Sequence, residues 1–272
     1  MNRFEKVLIV TDLDGTLLDS TKNIGTETKE AIEYFISEGG YFTFATGRLV
    51  ASLESIRNKL IWNAPVIFAN GSHIYDYKTE KIIWDCTIPN DKRAYLQNIL
   101  SEFPGTCMEV YRHMHCDMIN VNDISINHAK GFGFGYDVPK DIFEVEDGIY
   151  KILFTNTHEA LEKIREKITA EEPSLNVCFS NDVYLEVFSS KTDKGIGARV
   201  LADILGVKSE DVYTVGDQEN DLDLLRSASL AFAPENAVES VKSVADIILP
   251  DNNHNTIAAL ISCISKRYPS KD

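Results

Sequence analysis

The sequence predicts an α/β fold, a doubly wound, Rossmann-like parallel sheet interrupted by an inserted α+β unit. Three observations lead to this prediction. An apolar, β-branched run over residues 7–11 ends in carboxylates, as a buried parallel strand does at the sheet edge where ligands bind. Strand and amphipathic-helix patterns alternate near both ends of the chain, which indicates βαβ units. Between these parts, strand patterns come in pairs, which is typical of an α+β unit.

The first 84 residues alternate between strands that are apolar throughout and helices with one apolar face. The predicted elements are a strand over 7–11, a helix from Thr26 to Gly39, a strand over 41–46, a helix through Leu60, a strand over 65–70 and a hairpin over 74–84. Glycine pairs and Asn-Gly mark the turns between them. These strand–helix–strand units predict one parallel sheet with right-handed crossovers.

The pattern changes near residue 85 and changes back near residue 189. Residues 91–103 and 158–170 read as helices, and strand patterns lie within 108–120, 148–155, 175–180 and 183–188. The βα rhythm then resumes with a helix from Lys194 to Leu205, a strand over 212–215 and a helix from Asn220. We therefore predict a core of residues 1–84 and 189–272, with an α/β domain of residues 85–188 inserted into it.

Composition and charge exclude several classes of protein. The 272 residues suit two modest domains, and 44% apolar with 25% charged residues is ordinary for a globular enzyme. A formal net charge of −15 repels nucleic acid and anionic membranes, so neither is an expected partner. No apolar run has the length of a membrane span, and residues 1–6 lack a signal peptide's apolar core, which predicts a cytoplasmic location. The five cysteines are scattered, without a CxxC pair, as expected for reduced thiols.

Two carboxylates, Asp12 and Asp14, directly follow the first predicted strand. In an extended chain, residues two apart point to the same face, so both carboxylates can serve one site. Two acids held this close repel each other and call for a cation, a shared proton or both. This is the layout of a carboxylate nucleophile with an acid/base partner around Mg²⁺.

A second acidic cluster, from Gly216 to Asp221, follows the strand predicted over 212–215. If this strand lies near the first, Asp217 and Asp221 approach the first carboxylate pair, and such a set suits Mg²⁺. Acidic residues and asparagine are also common at helix starts, where they cap the helix and favour its dipole. Alone, the cluster fits both interpretations; together with the first pair, it indicates a functional site.

Two further positions are candidates for binding an anion. Thr46 and Gly47 end the second strand, where a hydroxyl and the N–H groups entering the next helix form an anion site, although threonine is also a common N-cap. Lys194 begins the helix after the insert, beside Gly195, and can supply a point charge for phosphate. One lysine among 27 basic residues carries little weight, and its place just before the sheet resumes is what favours it.

The ordered set of motifs resembles a known family over essentially the whole chain. The matching motifs are Asp12-Leu13-Asp14-Gly15-Thr16, Thr46-Gly47-Arg48, Asn70-Gly71, Lys194-Gly195 and Gly216-Asp217-Gln218-Glu219-Asn220-Asp221. The chain resembles the haloacid-dehalogenase superfamily, in the Cof-like phosphatase branch that carries a large α/β cap. The resemblance implies that residues 85–188 are this cap, which closes over the site and sets substrate specificity.

The resemblance also implies roles for the matching residues. Asp12 would attack phosphorus and become an aspartyl phosphate, while Asp14 would protonate the leaving alcohol and later deprotonate the hydrolytic water. Mg²⁺ would be bound by Asp12, the backbone carbonyl of Asp14 and Asp217, with Asp221 supporting the site. The phosphoryl oxygens would be bound by Thr46, Gly47, Lys194 and Asn220.

The expected activity is Mg²⁺-dependent hydrolysis of a small phosphate monoester, such as a sugar phosphate, by a monomer or homodimer. Two alternatives stay open. A phosphomutase of the same superfamily would depend on a bisphosphate, and a metabolite-binding protein could keep the fold without catalysis. The presence of Asp12, Asp14, Lys194 and Asp217 together disfavours the non-catalytic alternative.

Some segments depart from the family pattern or resemble other sites weakly. We expect Ala233-Pro234-Glu235 and His254-Asn255-Thr256, which replace familiar family segments, to lie near the site entrance and to affect substrate fit. His113 and His115 share a strand face, but no second ligand cluster has a suitable spacing for zinc. Residues 131–136 lack the spacing of a dinucleotide-binding loop, and we interpret them as a mobile loop whose aromatic side chains, with Tyr111 and Arg112, touch the substrate.

Overall fold

The computed structural model of the protein describes residues 2–269. Its strands are β1 (Leu8–Thr11), β2 (Tyr41–Phe44), β3 (Val66–Phe68), β4 (His73–Asp76), β5 (Lys81–Asp85), β6 (Cys107–Tyr111), β7 (Cys116–Ile119), β8 (Lys151–Thr155), β9 (Leu175–Asn181), β10 (Tyr184–Ser189), β11 (Val212–Val215), β12 (Leu230–Pro234) and β13 (Ile247–Leu249). Its helices are α1 (Thr26–Ser37), α2 (Val50–Glu54), α3 (Arg93–Glu102), α4 (Asp123–Phe132), α5 (His158–Glu171), α6 (Lys194–Leu205), α7 (Leu222–Arg226), α8 (Glu239–Lys242) and α9 (Thr256–Ser265). Within residues 2–269, no helix is both long and apolar enough to cross a membrane.

The predicted parallel sheet is present, with strand order β13-β12-β11-β1-β2. Strand β1 is buried on both faces, which explains its unbroken apolar run. Ile9 belongs to a core cluster that includes side chains of α1 and α9, whereas Leu8 and Val10 pack in a cluster with side chains of α6. The fold is therefore the doubly wound α/β arrangement that the alternating pattern predicts.

The strand register brings the ends of three parallel strands to the same level. Thr11 of β1 pairs with Phe44 of β2 on one side and with Val215 of β11 on the other. The next residue, Asp12, continues the ladder, because its N–H donates to the Val215 carbonyl over 2.8 Å. The polar segments that follow β1, β2 and β11 are consequently neighbours at one sheet edge.

The segment predicted as a third parallel strand has a different place in the structure. Strand β3 lies beside the end of β2 through one parallel bridge, between Ala45 and Ile67, and the Thr46 N–H donates to the Ile67 carbonyl over 2.9 Å. Its full ladder is with β4, and that pairing is antiparallel. Strands β3, β4 and β5 form a separate three-stranded sheet, which includes the predicted hairpin. The Asn-Gly turn after β3 reverses the chain after a short connection, and short connections join antiparallel strands. The helix predicted through Leu60 is also shorter, since α2 ends at Glu54.

The insert, which we define as residues 85–188, contains an antiparallel sheet of order β7-β6-β8-β10-β9. Side chains alternate between its two faces. One face packs against α3 and α5 through an apolar cluster that includes Val110, Ile152 and Val187. The neighbouring residues Tyr111, Lys151 and Glu186 of these same strands belong to the opposite face and line a cavity described below.

Buried histidine at the start of β4 gives the fold a predicted sensitivity to acid. The His73 ring stacks on Phe68 and lies 4.3 Å, centroid to centroid, from Tyr150. Neither of its ring nitrogens has a hydrogen-bond partner within residues 2–269. Burial lowers the pKa of His73 from 6.5 to about 3, with a smaller contribution from His113.

We expect His73→Leu to flatten the pH dependence of stability. Between pH 6.5 and 3 the unfolded chain binds more protons at this residue, so the unfolding free energy falls as the pH falls. The slope is about 1.4 kcal/mol per pH unit, so between pH 7 and 5 the variant should lose about 2 kcal/mol less stability than the parent. Urea unfolding at both pH values measures this, with the exposed His158→Gln as control. Equal losses in parent and His73→Leu would contradict the prediction.

Candidate active site

Three buried carboxylates meet where β1 and β11 end. Oxygen atoms of Asp12, Asp217 and Asp221 lie within 4.8 Å of one another. The aligned ends of β1 and β11 position the first two residues. Asp221 is turned towards them because its Oδ2 accepts hydrogen bonds from the backbone N–H of Asp217 and of Gln218, at 2.9 and 3.0 Å.

Lys194 supplies the positive charge inside this cluster. It is the first residue of α6, where Asp193 caps the helix, and its side chain is only 1% exposed. Its Nζ donates to Oδ1 of Asp12 and to Oδ1 of Asp221, both over 2.6 Å. These two carboxylates raise the pKa of Lys194 against the opposing effect of burial, so the lysine is charged.

The carboxylates of the cluster are held in an environment that disfavours their charge. Burial, followed by repulsion from Asp221, raises the pKa of Asp12 well above its usual value and raises the pKa of Asp217 to about 7. Three carboxylates against one lysine leave about two excess negative charges, and their oxygens are hard ligands of the kind that Mg²⁺ prefers. The residues therefore fit a divalent cation such as Mg²⁺.

The loop after β1 is packed tightly against Asp217. Thr16 Oγ1 donates to Asp217 Oδ1 over 2.7 Å. Gly15 has a φ of +88°, and a Cβ placed on it would lie 2.5 Å from Asp217 Oδ2. Glycine is needed here for both reasons, since the backbone is left-handed and the carboxylate occupies the space of a side chain.

We expect Gly15→Ala to reduce phosphate release at least about tenfold, because the added methyl group displaces the Asp217 carboxylate and a misplaced catalytic group costs rate steeply. Gly148→Ala is the matched control, since Gly148 has the same φ of +88° but nothing within 4 Å of an added Cβ. Both variants should lose about 1 kcal/mol of stability through the backbone. The prediction fails if the two variants release phosphate equally fast.

Asp14 lies at the same edge but has different partners. Its carboxylate accepts two hydrogen bonds from the Arg48 guanidinium, at 2.7 and 2.8 Å, and one from Lys22 Nζ at 2.8 Å. Although burial opposes it, these two cations lower the pKa of Asp14 to about 2. Arg48 was quoted in a sequence motif without a role, and its pairing with Asp14 depends on the three-dimensional proximity of two strand ends.

The candidate phosphate-binding residues join a hydrogen-bond network that reaches into the insert. Asn220 Nδ2 donates to Asn70 Oδ1 over 3.2 Å, and Asn70 Nδ2 donates to Glu186. Lys151 Nζ donates to Glu186 at 2.8 Å and to the carbonyl of Gly47 at 2.5 Å. Sequence analysis missed Lys151 and Glu186, because their pairing depends on two strands of the insert that are distant in sequence.

Thr46 is buried beside this network, and its hydroxyl accepts a hydrogen bond from the backbone N–H of Arg48 at 3.1 Å. A cavity of about 300 Å³ opens between the sheet edge and the insert, at the lower end of the usual range for small-molecule sites. Its core side includes Asp12, Asp14, Thr46, Gly47, Asp217 and Asn220. Lys194 and Asp221 contact this group without lining the cavity.

The two segments that depart from the family pattern, here taken as residues 233–237 and 252–256, contact the loop after β1 and are not among the residues that line the cavity. Asn236 donates to the carbonyl of Gly15 over 2.9 Å and accepts from the backbone N–H of Asn252 at 3.0 Å. Asn252 in turn donates to the carbonyl of Leu18 at 2.9 Å. Their amides thus satisfy backbone groups of the catalytic loop, which a sequence pattern alone does not reveal.

The residues of the weaker sequence motifs lie in different places in the structure. Tyr111, Phe132 and Phe134 line the cavity, whereas Tyr136 does not. Arg112 does not line it either, and it pairs with Asp117 and Glu146. Part of that segment, predicted as a loop, belongs to α4, which ends at Phe132. His115 lies near Asp117 and Asp137, at 3.5 and 3.0 Å, a neighbourhood that sequence spacing did not show.

Comparison with known proteins agrees with this geometry. Residues 9–261 match the family of haloacid dehalogenase-like hydrolases. The 5-amino-6-(5-phospho-D-ribitylamino)uracil phosphatase YwtE of Bacillus subtilis is 28% identical, over 93% of this chain and 96% of its own length. A haloacid dehalogenase-like hydrolase of B. subtilis superposes with a TM-score of 0.83 at 26% identity, covering 94% and 98% of the two chains. A Thermotoga maritima protein, TM0651, superposes with a TM-score of 0.80 at 27% identity, covering 98% of each. The chain therefore belongs to the haloacid dehalogenase-like hydrolases, in the Cof-like branch, and is a phosphoric monoester hydrolase.

Proposed function

We propose that the protein hydrolyses small phosphate monoesters with Mg²⁺ through an aspartyl-phosphate intermediate on Asp12. The observation that carries this proposal is the position of Asp12, which lies on the wall of the cavity while Lys194 holds its carboxylate from the other side. The cavity is too small for a macromolecule to enter, and it suits a compact metabolite.

In the first step, a carboxylate oxygen of Asp12 attacks phosphorus and the bond from phosphorus to the alcohol oxygen breaks. Asp14 gives its proton to the departing oxygen. In the second step, water attacks the phosphoryl group, Asp14 takes the water's proton, and Asp12 is regenerated with release of phosphate. Because Arg48 and Lys22 hold Asp14 ionised, we propose that binding of the phosphate draws these cations away, and that Asp14 then takes up a proton from water, which it passes to the departing oxygen.

The surrounding residues bind and orient the phosphoryl group. Lys194 stays charged and lies beside the oxygen of Asp12 that would carry or adjoin the phosphoryl group. Thr46, Gly47 and Asn220 would bind the other phosphoryl oxygens from the opposite side. Mg²⁺, held by Asp12, the carbonyl of Asp14 and Asp217, with Asp221 in support, would neutralise phosphoryl charge.

Residues 85–188 are proposed as the cap that sets specificity, and residues 1–84 with 189–272 as the catalytic core. The insert supplies one wall of the cavity, which supports this division. The B. subtilis relative is named for a phosphorylated ribitylaminouracil, a small phosphate monoester, which supports the substrate class. We propose that the protein is cytoplasmic, a compartment in which its five unpaired cysteines would stay reduced. We propose that it is a monomer or a homodimer.

The test is phosphate release from a panel of phosphorylated metabolites, with Mg²⁺ and then with excess chelator. We expect release from at least one compound, with loss of at least about 99% of the rate in chelator, because the cluster's excess charge would otherwise repel the substrate. A bisphosphate added in trace amounts tests for mutase activity. No release from any compound at high enzyme concentration would overturn the proposed hydrolysis.

A further inference from the structure

The insert provides the wall of the cavity that lies opposite the catalytic carboxylates. Alternation along the strands places Tyr111, Lys151, Leu153, Tyr184 and Glu186 on this wall. Phe132 at the end of α4 and Phe134 just after it also line the cavity. Since the phosphoryl group belongs at Asp12, this wall is where the alcohol part of the ester must lie.

The cations of the cavity already have anionic partners. Lys151 is paired with Glu186, and it also donates to the Gly47 carbonyl. Arg48 and Lys22 are paired with Asp14, and in the proposed reaction the phosphoryl group itself takes up these two cations. A second phosphate or a carboxylate on the alcohol would therefore have to break the buried pair of Lys151 with Glu186, which is costly. The wall therefore favours an uncharged alcohol.

Three aromatic rings lie together on this wall, beside the polar residues Ser180 and Asn181, which also line the cavity. The rings of Phe132, Phe134 and Tyr184 surround His128, with centroid distances of 4.7, 5.5 and 4.8 Å from its imidazole. Flat rings of this kind offer stacking and edge contacts to another planar ring. They offer few hydrogen bonds to the many hydroxyl groups of a sugar.

His128 supplies one polar contact in the middle of this aromatic surface. Its side chain is 8% exposed and lines the cavity. Its Nδ1 is hydrogen-bonded to the fully buried Glu109, at 2.8 Å, and Tyr111 donates to the same carboxylate over 3.1 Å. Within residues 2–269, no group is hydrogen-bonded to its Nε2, so one fixed ring nitrogen is available to a ligand. Because Nδ1 donates to the Glu109 carboxylate, Nε2 has its lone pair free to accept a hydrogen bond from a ring N–H.

We propose that the insert-side wall binds an uncharged, planar heterocyclic ring on the leaving alcohol, stacked among Phe132, Phe134 and Tyr184 and hydrogen-bonded to His128. This inference rests on the proposed hydrolysis and adds the substrate class. Glu109 is a positioning residue, because it holds the imidazole through Nδ1 and leaves Nε2 towards the ligand.

A matched series of esters tests each part of this proposal. Cyclohexylmethyl, benzyl and pyridonylmethyl phosphate are similar in size and carry a puckered ring, a planar ring and a planar heterocyclic ring with an N–H donor. We expect kcat/KM to rise about tenfold at each step, as one stacking contact and one hydrogen bond allow. A carboxylate on the ring, as in 4-carboxybenzyl phosphate, should lower kcat/KM at least about tenfold relative to benzyl phosphate. Ethyl phosphate serves as the ester without a ring.

Two variants test which residues cause the two substrate preferences. Phe134→Leu should remove most of the preference for benzyl over cyclohexylmethyl phosphate, while the exposed Phe143→Leu on the same insert should leave it unchanged. His128→Asn should remove the preference for pyridonylmethyl over benzyl phosphate and keep the preference for a planar ring. These ratios between substrates do not respond to a general loss of folded protein, which changes all rates together.

The outcomes distinguish failure of the proposed hydrolysis from failure of the ring subsite alone. No hydrolysis of any ester, ethyl phosphate included, would overturn the proposed hydrolysis and this inference with it. Hydrolysis of all the esters at similar kcat/KM, or faster hydrolysis of the carboxylated ester, would overturn the ring subsite alone. A graded preference that Phe134→Leu and His128→Asn leave intact would also overturn it.

Discussion

Asp12→Asn is expected to lower phosphate release by about four orders of magnitude or more, the largest effect of any substitution in this chain. A carboxamide is a far weaker nucleophile than a carboxylate, so the first covalent step is lost. The asparagine side chain has nearly the same shape and can still accept the hydrogen bond that Lys194 donates over 2.6 Å. The loss is therefore expected without a change of fold.

The same substitution should stabilise the protein. Asp12 is buried beside two other carboxylates, and their repulsion together with desolvation raises its pKa. Removal of one charge relieves this repulsion, so we expect a higher melting temperature in the absence of Mg²⁺. Catalytic sites commonly hold such destabilising arrangements for the sake of activity.

Phosphate release and thermal unfolding of the same preparation measure both effects. Asp203→Asn, an exposed position on α6, is the control and should change neither. Mass spectrometry of the parent during turnover should show one added phosphoryl group, absent from Asp12→Asn. Release above about 1% of the parent rate, once deamidation back to aspartate is excluded by mass, would contradict a nucleophilic role.

Lys194→Met is expected to have the second largest effect, on both stability and activity. It removes the cation that donates to Asp12 and Asp221 and leaves three carboxylates buried together. Removing one partner of a buried ion pair costs about 3–5 kcal/mol, because the remaining charge has no compensation. Activity should fall by at least about a thousandfold, since the proposed nucleophile Asp12 loses the positive side chain that is hydrogen-bonded to it.

The pH dependence distinguishes this cause from simple loss of packing. The pKa values of Asp12 and Asp217 are raised by burial and by repulsion from Asp221, and Lys194 partly opposes this, so its removal raises them further. The folded variant then binds more protons at these two groups than the unfolded chain, and its stability falls as the pH rises. The stability lost through the substitution should therefore be smaller at pH 5 than at pH 8, and added Mg²⁺ should restore part of it. Urea unfolding measures this, with the exposed Lys191→Met as control. A loss that is equal at both pH values and insensitive to Mg²⁺ would contradict the electrostatic explanation.

The sequence predicts the catalytic edge well, and the reason is topological. Asp12 and Asp217 each directly follow a strand, and neighbouring parallel strands end at the same edge, so the sequence predicts that the two meet if their strands are neighbours. The pairing of β1 with β11 meets that condition. The helix that begins at Lys194 has its predicted bounds for a similar reason, since a capping aspartate and Gly206 mark its ends.

The pairings between segments distant in the chain are what sequence reasoning does not supply. The ion pair of Arg48 with Asp14 connects the segments after two strands, and it forms only because the long Arg48 side chain takes one particular rotamer. The pair of Lys151 with Glu186 depends on the register of β8 and β10. Charge and hydropathy patterns report which face of a strand is buried, but they do not report which partner a buried charge meets.

The contact of Lys151 with the Gly47 carbonyl limits how this enzyme can change its substrate. The insert is anchored by a buried charge to the backbone that adjoins Thr46, and Asn70 joins Glu186 to Asn220. Insert and core therefore share one network, and they do not behave as separable modules. A foreign insert without Lys151 and Glu186 would leave the Asn70 side-chain amide without its acceptor and the Gly47 carbonyl without its donor. New specificities are more accessible by exchanging the aromatic residues of the wall while this anchor stays in place.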